Sequence, residues 1–128
     1  MIRKEYITSR IWNYLIAKPV KEKITITYID LCHYLNKDPN LTGHLAILPQ
    51  TISLNYLNPI LEHCQKNNLP SLTIIIVSQN SGLPSELFFK KLGKASRSTN
   101  HKLAFFYKES DKVFNYNWHK EKNPFSLS

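Results

Sequence analysis

Residues 23–36 change from one hydrophobic pattern to another within a few positions. Ile24 and Ile26 alternate with threonines, as in a strand, whereas the next apolar residues are spaced three or four apart, as on one side of a helix. Thr27 stands at the change, and Asp30 follows three residues later. Because a threonine hydroxyl accepts a free amide of the first turn while the acidic residue reaches back, the sequence predicts a capping box. We therefore expect a short strand that leads directly into a helix.

Helical spacing marks three segments of the chain. The first predicted helix begins at residue 8 or 9 and ends near residue 18, ahead of a proline, and the second covers residues 28–35. Residues 44–68 show the same spacing, but two prolines interrupt it. Because proline lacks an amide donor and clashes with the preceding turn, we expect Pro49 and Pro59 in the first turns of separate or kinked helical pieces.

The remaining apolar runs have the character of strands. Residues 72–77 are continuously apolar and rich in β-branched side chains, which is typical of a buried strand. Residues 102–107 and 112–118 alternate around a polar turn, which predicts a β-hairpin. These elements favour an α+β fold, namely a winged helix-turn-helix-like domain with a C-terminal β-hairpin. We expect residues 1–118 to form this single domain and residues 119–128 to form a polar, loosely held tail.

Basic residues are concentrated near the C-terminal end of a chain whose formal net charge is +8. No acidic residue stands between Glu86 and Glu109. The basic residues in that interval are Lys90, Lys91, Lys94, Arg97, Lys102 and Lys108. Phosphate contacts from such a run would make duplex DNA binding salt-dependent, with a log-log slope of about −0.9 per contact. The alternatives are a solvated lysine-rich surface and, where aromatic residues stand beside the lysines, a stacking surface for unpaired bases.

Composition narrows the class of protein. The 128 residues, 42% of them hydrophobic, suffice for one core without disulfides. No window has the roughly 20 apolar residues of a membrane helix, and no signal peptide is recognisable, so we expect a soluble, cytoplasmic protein without membrane contact. Cys32 and Cys64 lack metal-ligand spacing and are expected to be buried thiols. We expect neither a metal nor a cofactor.

Two motifs carry a resemblance to a known family. Trp-Asn-Tyr-Leu at residues 12–15 and Ile-Thr-Ile-Thr-Tyr-Ile-Asp-Leu at residues 24–31 are similar to the DNA-binding domain of alkylguanine-DNA alkyltransferases and their alkyltransferase-like relatives. The similarity covers roughly residues 6–84. It implies a winged helix-turn-helix that holds DNA by its minor groove. In that arrangement Tyr28 would contact the DNA backbone next to a flipped nucleotide.

The chain departs from this family at its reactive element. Ile76-Val77-Ser78-Gln79 stands where the family has Pro-Cys-His-Arg, so the alkyl acceptor is absent, as are the histidine and arginine that the cysteine-free relatives keep. The family's Asn-x-x-Arg finger is also missing, because residues 44–68 contain no arginine. The resemblance therefore implies a fold and a backbone contact by Tyr28, but neither alkyl transfer nor base flipping.

Histidines offer the one remaining route to catalysis. His101 and His119 would make a metal-independent ribonuclease site if their rings converged, with one as base, the other as acid and a nearby cation opposite the charged intermediate. No glycine-rich phosphate loop or nucleophile elbow is present. We therefore expect a protein without enzymatic activity and keep the ribonuclease as a third possibility.

The leading hypothesis is a non-enzymatic nucleic-acid-binding domain, with DNA favoured over RNA. Residues 44–68 would supply the candidate recognition helix. Besides Tyr28, polar residues early in this segment would meet a groove: His44, Gln50, Thr51, Ser53 and Asn55. The phosphate contacts would come from Lys90, Lys91, Lys94, Arg97 and Lys102. The alternative is a small protein-interaction module, such as an inhibitor, immunity or antidefence protein, that presents its basic face to an acidic protein.

Overall fold

The computed structural model describes residues 3–41 and 46–126, which are mostly helical and include one two-stranded parallel sheet. The α-helices are α1 (Arg3–Leu15), α2 (Tyr28–Asn36), α3 (Pro49–Ile52), α4 (Asn58–Lys66), α5 (Glu86–Lys91) and α6 (Thr99–Asn115). The strands are β1 (Ile26–Thr27) and β2 (Ile76–Val77). Two π-helical turns cover Ile16–Val20 and Ser53–Leu57, and 3-10 helices cover Pro39–Leu41, Leu72–Ile75 and Trp118–Lys120. These elements enclose one hydrophobic core, and the coarse α+β prediction is confirmed.

The predicted junction between strand and helix is present. The Thr27 hydroxyl accepts the Asp30 amide at 3.0 Å, so Thr27 is the N-cap of α2. β1 is shorter than expected, because Ile24 precedes it and is exposed. β1 pairs in parallel with β2, Ile26 opposite Ile76 and Thr27 opposite Val77.

Helix α1 begins earlier than predicted. It starts at Arg3, and the Thr8 hydroxyl donates back to the Lys4 carbonyl at 2.7 Å, so Thr8 lies inside the helix and does not cap it. Pro19 does not stop the helical path either, since it lies within a π-helical turn that continues from α1. The helical spacing of Ile11, Trp12, Leu15 and Ile16, on which the prediction of this helix depends, is borne out by burial of the first three, while Ile16 is half-buried.

The two prolines of the next helical run lie where the sequence placed them. Pro49 is in the first turn of α3 and Pro59 is in the first turn of α4, with a π-helical turn between the two helices. Pro59 has no amide to donate to the Asn55 carbonyl, and the Asn58 amide instead donates to Ser53, five residues back. Residues 49–66 therefore form one helical path, the candidate recognition helix.

The predicted C-terminal hairpin is wrong, because residues 99–115 form the helix α6. The Ser98 hydroxyl caps this helix by accepting the His101 amide at 3.1 Å. Residues 95–123 contain neither glycine nor proline, the usual punctuation of a hairpin. Leu103, Phe106 and Val113 are spaced for one helix face, and the latter two are buried. The described residues contain no antiparallel strand pair.

The segment predicted as a strand at residues 72–77 is buried throughout, but only its last two residues are extended. The first four form a 3-10 helix that packs against α6. The tail is also held more firmly than expected. The Asn123 amide donates to Ser9 and Asn13 in α1, and the Phe125 ring lies 6.4 Å from that of Trp12, edge to face.

Candidate nucleic-acid interface

A cleft of about 470 Å³ opens at the carboxyl edge of the sheet. Because parallel strands end at the same edge, the first residues of α2 and the loop after β2 emerge side by side. The start of α3 and the start of α5 complete the walls. The cleft therefore lies between the candidate recognition helix and the basic part of the chain.

The loop at residues 78–83 forms one wall and is closed by its own backbone. The Gly82 amide donates to the Ser78 carbonyl and the Ser78 amide donates to the Leu83 carbonyl, both at 2.8 Å. Gly82 has a φ of +70°, which side chains with a Cβ rarely adopt. This closure leaves Gln79 and Asn80 exposed at the cleft.

Tyr28 forms the opposite wall as the first residue of α2. Its side chain is buried, and its hydroxyl accepts the Ser85 amide at 2.8 Å. That bond fixes the start of α5 against the start of α2. The tyrosine expected to meet a DNA backbone is thus a structural part of the cleft wall, with its hydroxyl already engaged.

The cleft has little charge of its own. Its polar lining consists mainly of hydroxyls and carboxamides, from Ser78, Gln79, Asn80 and Gln50, and among the described residues Glu86 is the only acidic or basic one that lines it. Glu86 lies 3.3 Å from the ammonium group of Lys102, which also rests over the Phe89 ring. This ion pair joins the rim of the cleft to residues 90–108, which carry the run of basic residues and are called the basic segment below.

The candidate recognition helix presents three of its predicted contact residues to solvent and buries a fourth. Gln50, Thr51 and Asn55 are exposed. The prediction for Ser53 is wrong in this respect, because Ser53 is buried and its hydroxyl lies 3.4 Å from that of Ser85. Residues one and four positions apart share the outer face, whereas Ser53 falls on the inner face. His44 lies outside the described residues.

The five predicted phosphate-binding side chains fall into two groups. Lys90 and Arg97 are exposed and have no acidic partner in the described ranges. Lys91 pairs with Glu62, Lys102 pairs with Glu86 and is only 12% exposed, and the Lys94 ammonium lies 4.8 Å from the centre of the Phe105 ring. Each side chain of the second group would have to break an existing contact before it could bind a phosphate.

The remaining candidates for chemistry lie away from the cleft. Cys32 and Cys64 are buried as predicted, and burial raises the pKa of each thiol to about 11. His101 is in the first turn of α6 and His119 follows its last turn, and the part of the helix from His101 to Asn115 spans roughly 21 Å. The histidine pair of a ribonuclease is therefore not assembled. No cluster of potential metal ligands occurs in the described part of the chain.

The residues that sequence reasoning missed are those of the loop after β2, above all Gln79, Asn80 and Ser85. A signal was present, because a polar run follows directly after a buried apolar segment. Its meaning depends on the parallel pairing with β1, which brings residues distant in sequence to one edge.

Comparisons of the chain with models of protein families, with curated proteins and with solved structures each find no match. Within residues 3–41 and 46–126, no helix has the length and apolar character needed to cross a membrane.

Proposed function

We propose that this protein is a non-enzymatic nucleic-acid-binding domain that prefers DNA and belongs to the winged-helix type. In this arrangement α2 and the candidate recognition helix form the helix-turn-helix pair, and the basic segment contacts the phosphates. The observation that supports the proposal most directly is the continuity of one face. That face runs from exposed Gln50 and Thr51, across the neutral cleft, to Glu86, Lys102 and the basic segment.

The relation between the two helices is fixed by a specific contact. The Asn36 carboxamide donates to the Ile47 carbonyl at 2.9 Å and accepts the Ile47 amide at 2.8 Å. This pair of bonds joins the end of α2 to the chain just ahead of α3. A helix placed in a groove needs such a rigid neighbour, because phosphate contacts made elsewhere otherwise cannot set its position.

The exposed cations favour phosphate-driven affinity. Lys90 and Arg97 have no competing acidic group among the described residues, so binding a phosphate breaks no ion pair. Lys91 and Lys102 are expected to contribute less, since each would first have to leave a glutamate. We therefore expect the log-log salt slope to correspond to fewer phosphate contacts than the five predicted phosphate-binding side chains.

The test is a fluorescence-anisotropy titration with duplex DNA, single-stranded DNA and RNA at several salt concentrations, with each probe checked for cleavage. Replacement of Lys90 and Arg97 by glutamine should reduce the log-log salt slope on duplex DNA by about 2, because each contact contributes about 0.9. The matched control replaces Lys21 and Lys37, which are also exposed, and should leave the slope nearly unchanged.

Equal losses in the two double variants would mean that only net charge matters and would contradict the assigned interface. Failure of all three probes to bind at low salt would overturn nucleic-acid binding. The basic face would then be assigned to an acidic protein, which should form a complex of defined stoichiometry.

A further inference from the structure

We propose that the candidate recognition helix reads A·T base pairs of duplex DNA, with Gln50 and Asn55 binding adenine and Leu54 contacting the thymine methyl group. The inference rests on the proposed function and adds a base preference to it. It depends on three features of the helix: the residues that face solvent, the absence of positive charge between residues 50 and 55, and the chemistry of the exposed groups.

The outer stripe of the helix is narrow and well defined. Gln50, Thr51, Leu54 and Asn55 are exposed, whereas the side chains between and after them are buried in the core. Steps of one and four residues place these four groups on one face. Leu54 is 61% exposed and has a carboxamide on either side of it in the stripe.

This stripe carries no charge that could pair with a phosphate. The acidic and basic residues of the candidate recognition helix are Glu62, His63 and Lys66, all in its last two turns, and Glu62 pairs with Lys91. The stripe itself therefore adds almost nothing to counterion release, and its groups would contribute to sequence preference through contacts with base edges. The phosphate-binding and base-reading tasks fall to different parts of the face.

The exposed groups match one kind of base pair. A carboxamide donates to adenine N7 or accepts from its N6 amino group in the major groove, and an apolar side chain suits the thymine methyl. The stripe has no arginine or lysine for guanine and no carboxylate for cytosine. Its chemistry therefore favours A·T over G·C pairs and thymine over uracil.

The test compares three duplexes of equal length: an A·T duplex, its copy with uracil in place of thymine, and a G·C duplex. Uracil removes the major-groove methyl but leaves the minor-groove edge unchanged. The wild-type protein should bind the A·T duplex several-fold more tightly than the uracil copy, and the G·C duplex more weakly still. Leu54→Ala should abolish the difference between thymine and uracil.

The double variant Gln50→Ala/Asn55→Ala should lower the preference for A·T over G·C by about tenfold or more, since a bidentate contact is worth a factor of roughly 5–150. Ile24→Ala, which changes another exposed apolar side chain, is the matched control and should keep both preferences. All variants should retain the wild-type melting temperature, because the replaced side chains lie at the surface.

Equal binding of the three duplexes, with a normal salt slope, would overturn the inference and leave the proposed function intact. Absence of duplex binding at low salt would overturn both. A preference for A·T that persists unchanged in uracil probes and in both variants would assign the reading to the minor groove and contradict the roles given to Leu54, Gln50 and Asn55.

Discussion

Polar side chains around α1 are bound to one another, whereas the carboxamides of the cleft are left to solvent. Asp38, whose side chain is 3% exposed, accepts the Tyr6 hydroxyl at 2.6 Å and the Asn40 amide at 2.9 Å, and lies 3.1 Å from Arg10. Near the C-terminal end of the described chain, the Asn123 carboxamide donates to three acceptors in α1, two of Ser9 and one of Asn13. These bonds hold the segments around Asp38 and Asn123 against α1.

The cleft shows the opposite arrangement. Gln79, Asn80 and Gln50 are exposed, and none makes a side-chain hydrogen bond to another residue in the described ranges. The loop that holds two of them is closed by backbone bonds and by the Ser81 hydroxyl, which accepts the Leu83 amide at 3.1 Å, so neither carboxamide takes part in the closure. The comparison indicates that the fold uses its polar groups near α1 and leaves the carboxamides of the cleft available to a ligand.

Removal of an aromatic anchor beside α1 should have the largest effect on stability. Trp118 is 2% exposed, its indole donates to the Val113 carbonyl at 2.8 Å, and its ring packs edge to face against Trp12. Trp118→Ala should lower the free energy of unfolding by about 3–5 kcal/mol, as other buried aromatic truncations do. Chemical denaturation measures this loss, and Tyr107→Ala, at a 68% exposed site in α6, is the control.

A neutral replacement at the centre of the polar cluster should have an intermediate effect. Asp38→Asn should cost about 1–3 kcal/mol of unfolding free energy at neutral pH, because the buried acceptor loses its charge opposite Arg10 and Tyr6. Asp111→Asn, at an exposed site, should change little. Equal stability of the two variants would mean that the cluster does not stabilise the fold.

The same variant should change the pH dependence of stability. The hydrogen bond from Tyr6, followed by the Asn40 amide and Arg10, holds the pKa of Asp38 below its usual range against the opposing effect of burial. A lowered pKa gives stability that is present above the unfolded value of about 3.9 and is lost as pH falls through the folded value. Denaturation from neutral to acidic pH should therefore show wild type and Asp38→Asn converging in acid.

Local features of this fold were predictable from sequence. The Thr27 cap, the buried stripe of α1 and the positions of Pro49 and Pro59 each depend on residues within a few positions of one another. The wrong prediction of a hairpin, where the structure has α6, also has a physical reason. Its apolar residues satisfy an alternating pattern and a helical one at the same time, and packing against the buried 72–75 segment selects the helix.

The candidate site was less predictable because its properties arise from packing. Polarity alone favours Ser53 as a groove contact, although it stands three and four residues before Tyr56 and Leu57, a spacing that places it on the buried face, whereas Thr51 is exposed. Lys91 and Lys102 differ from Lys90 only through glutamates contributed by other helices. The pattern predicted helical structure around residues 49–66 and a run of basic residues, but it could not show that a cleft lies between them.

The smallest effect should come from the cleft itself, and it gives the comparison its sharpest test. If the fold makes no use of the loop carboxamides, Gln79→Ala and Asn80→Ala should each change the free energy of unfolding by less than about 0.5 kcal/mol, the range of ordinary surface substitutions. Asn123→Ala is the matched carboxamide near α1, and it should cost more, because three acceptors lose their donor. Denaturation curves of the three variants measure the difference. A loss at Gln79 or Asn80 equal to that at Asn123 would place the cleft among the structural regions. Retained stability in both loop variants would mean that the fold does not depend on these two side chains, which are then free to contact a ligand in the cleft.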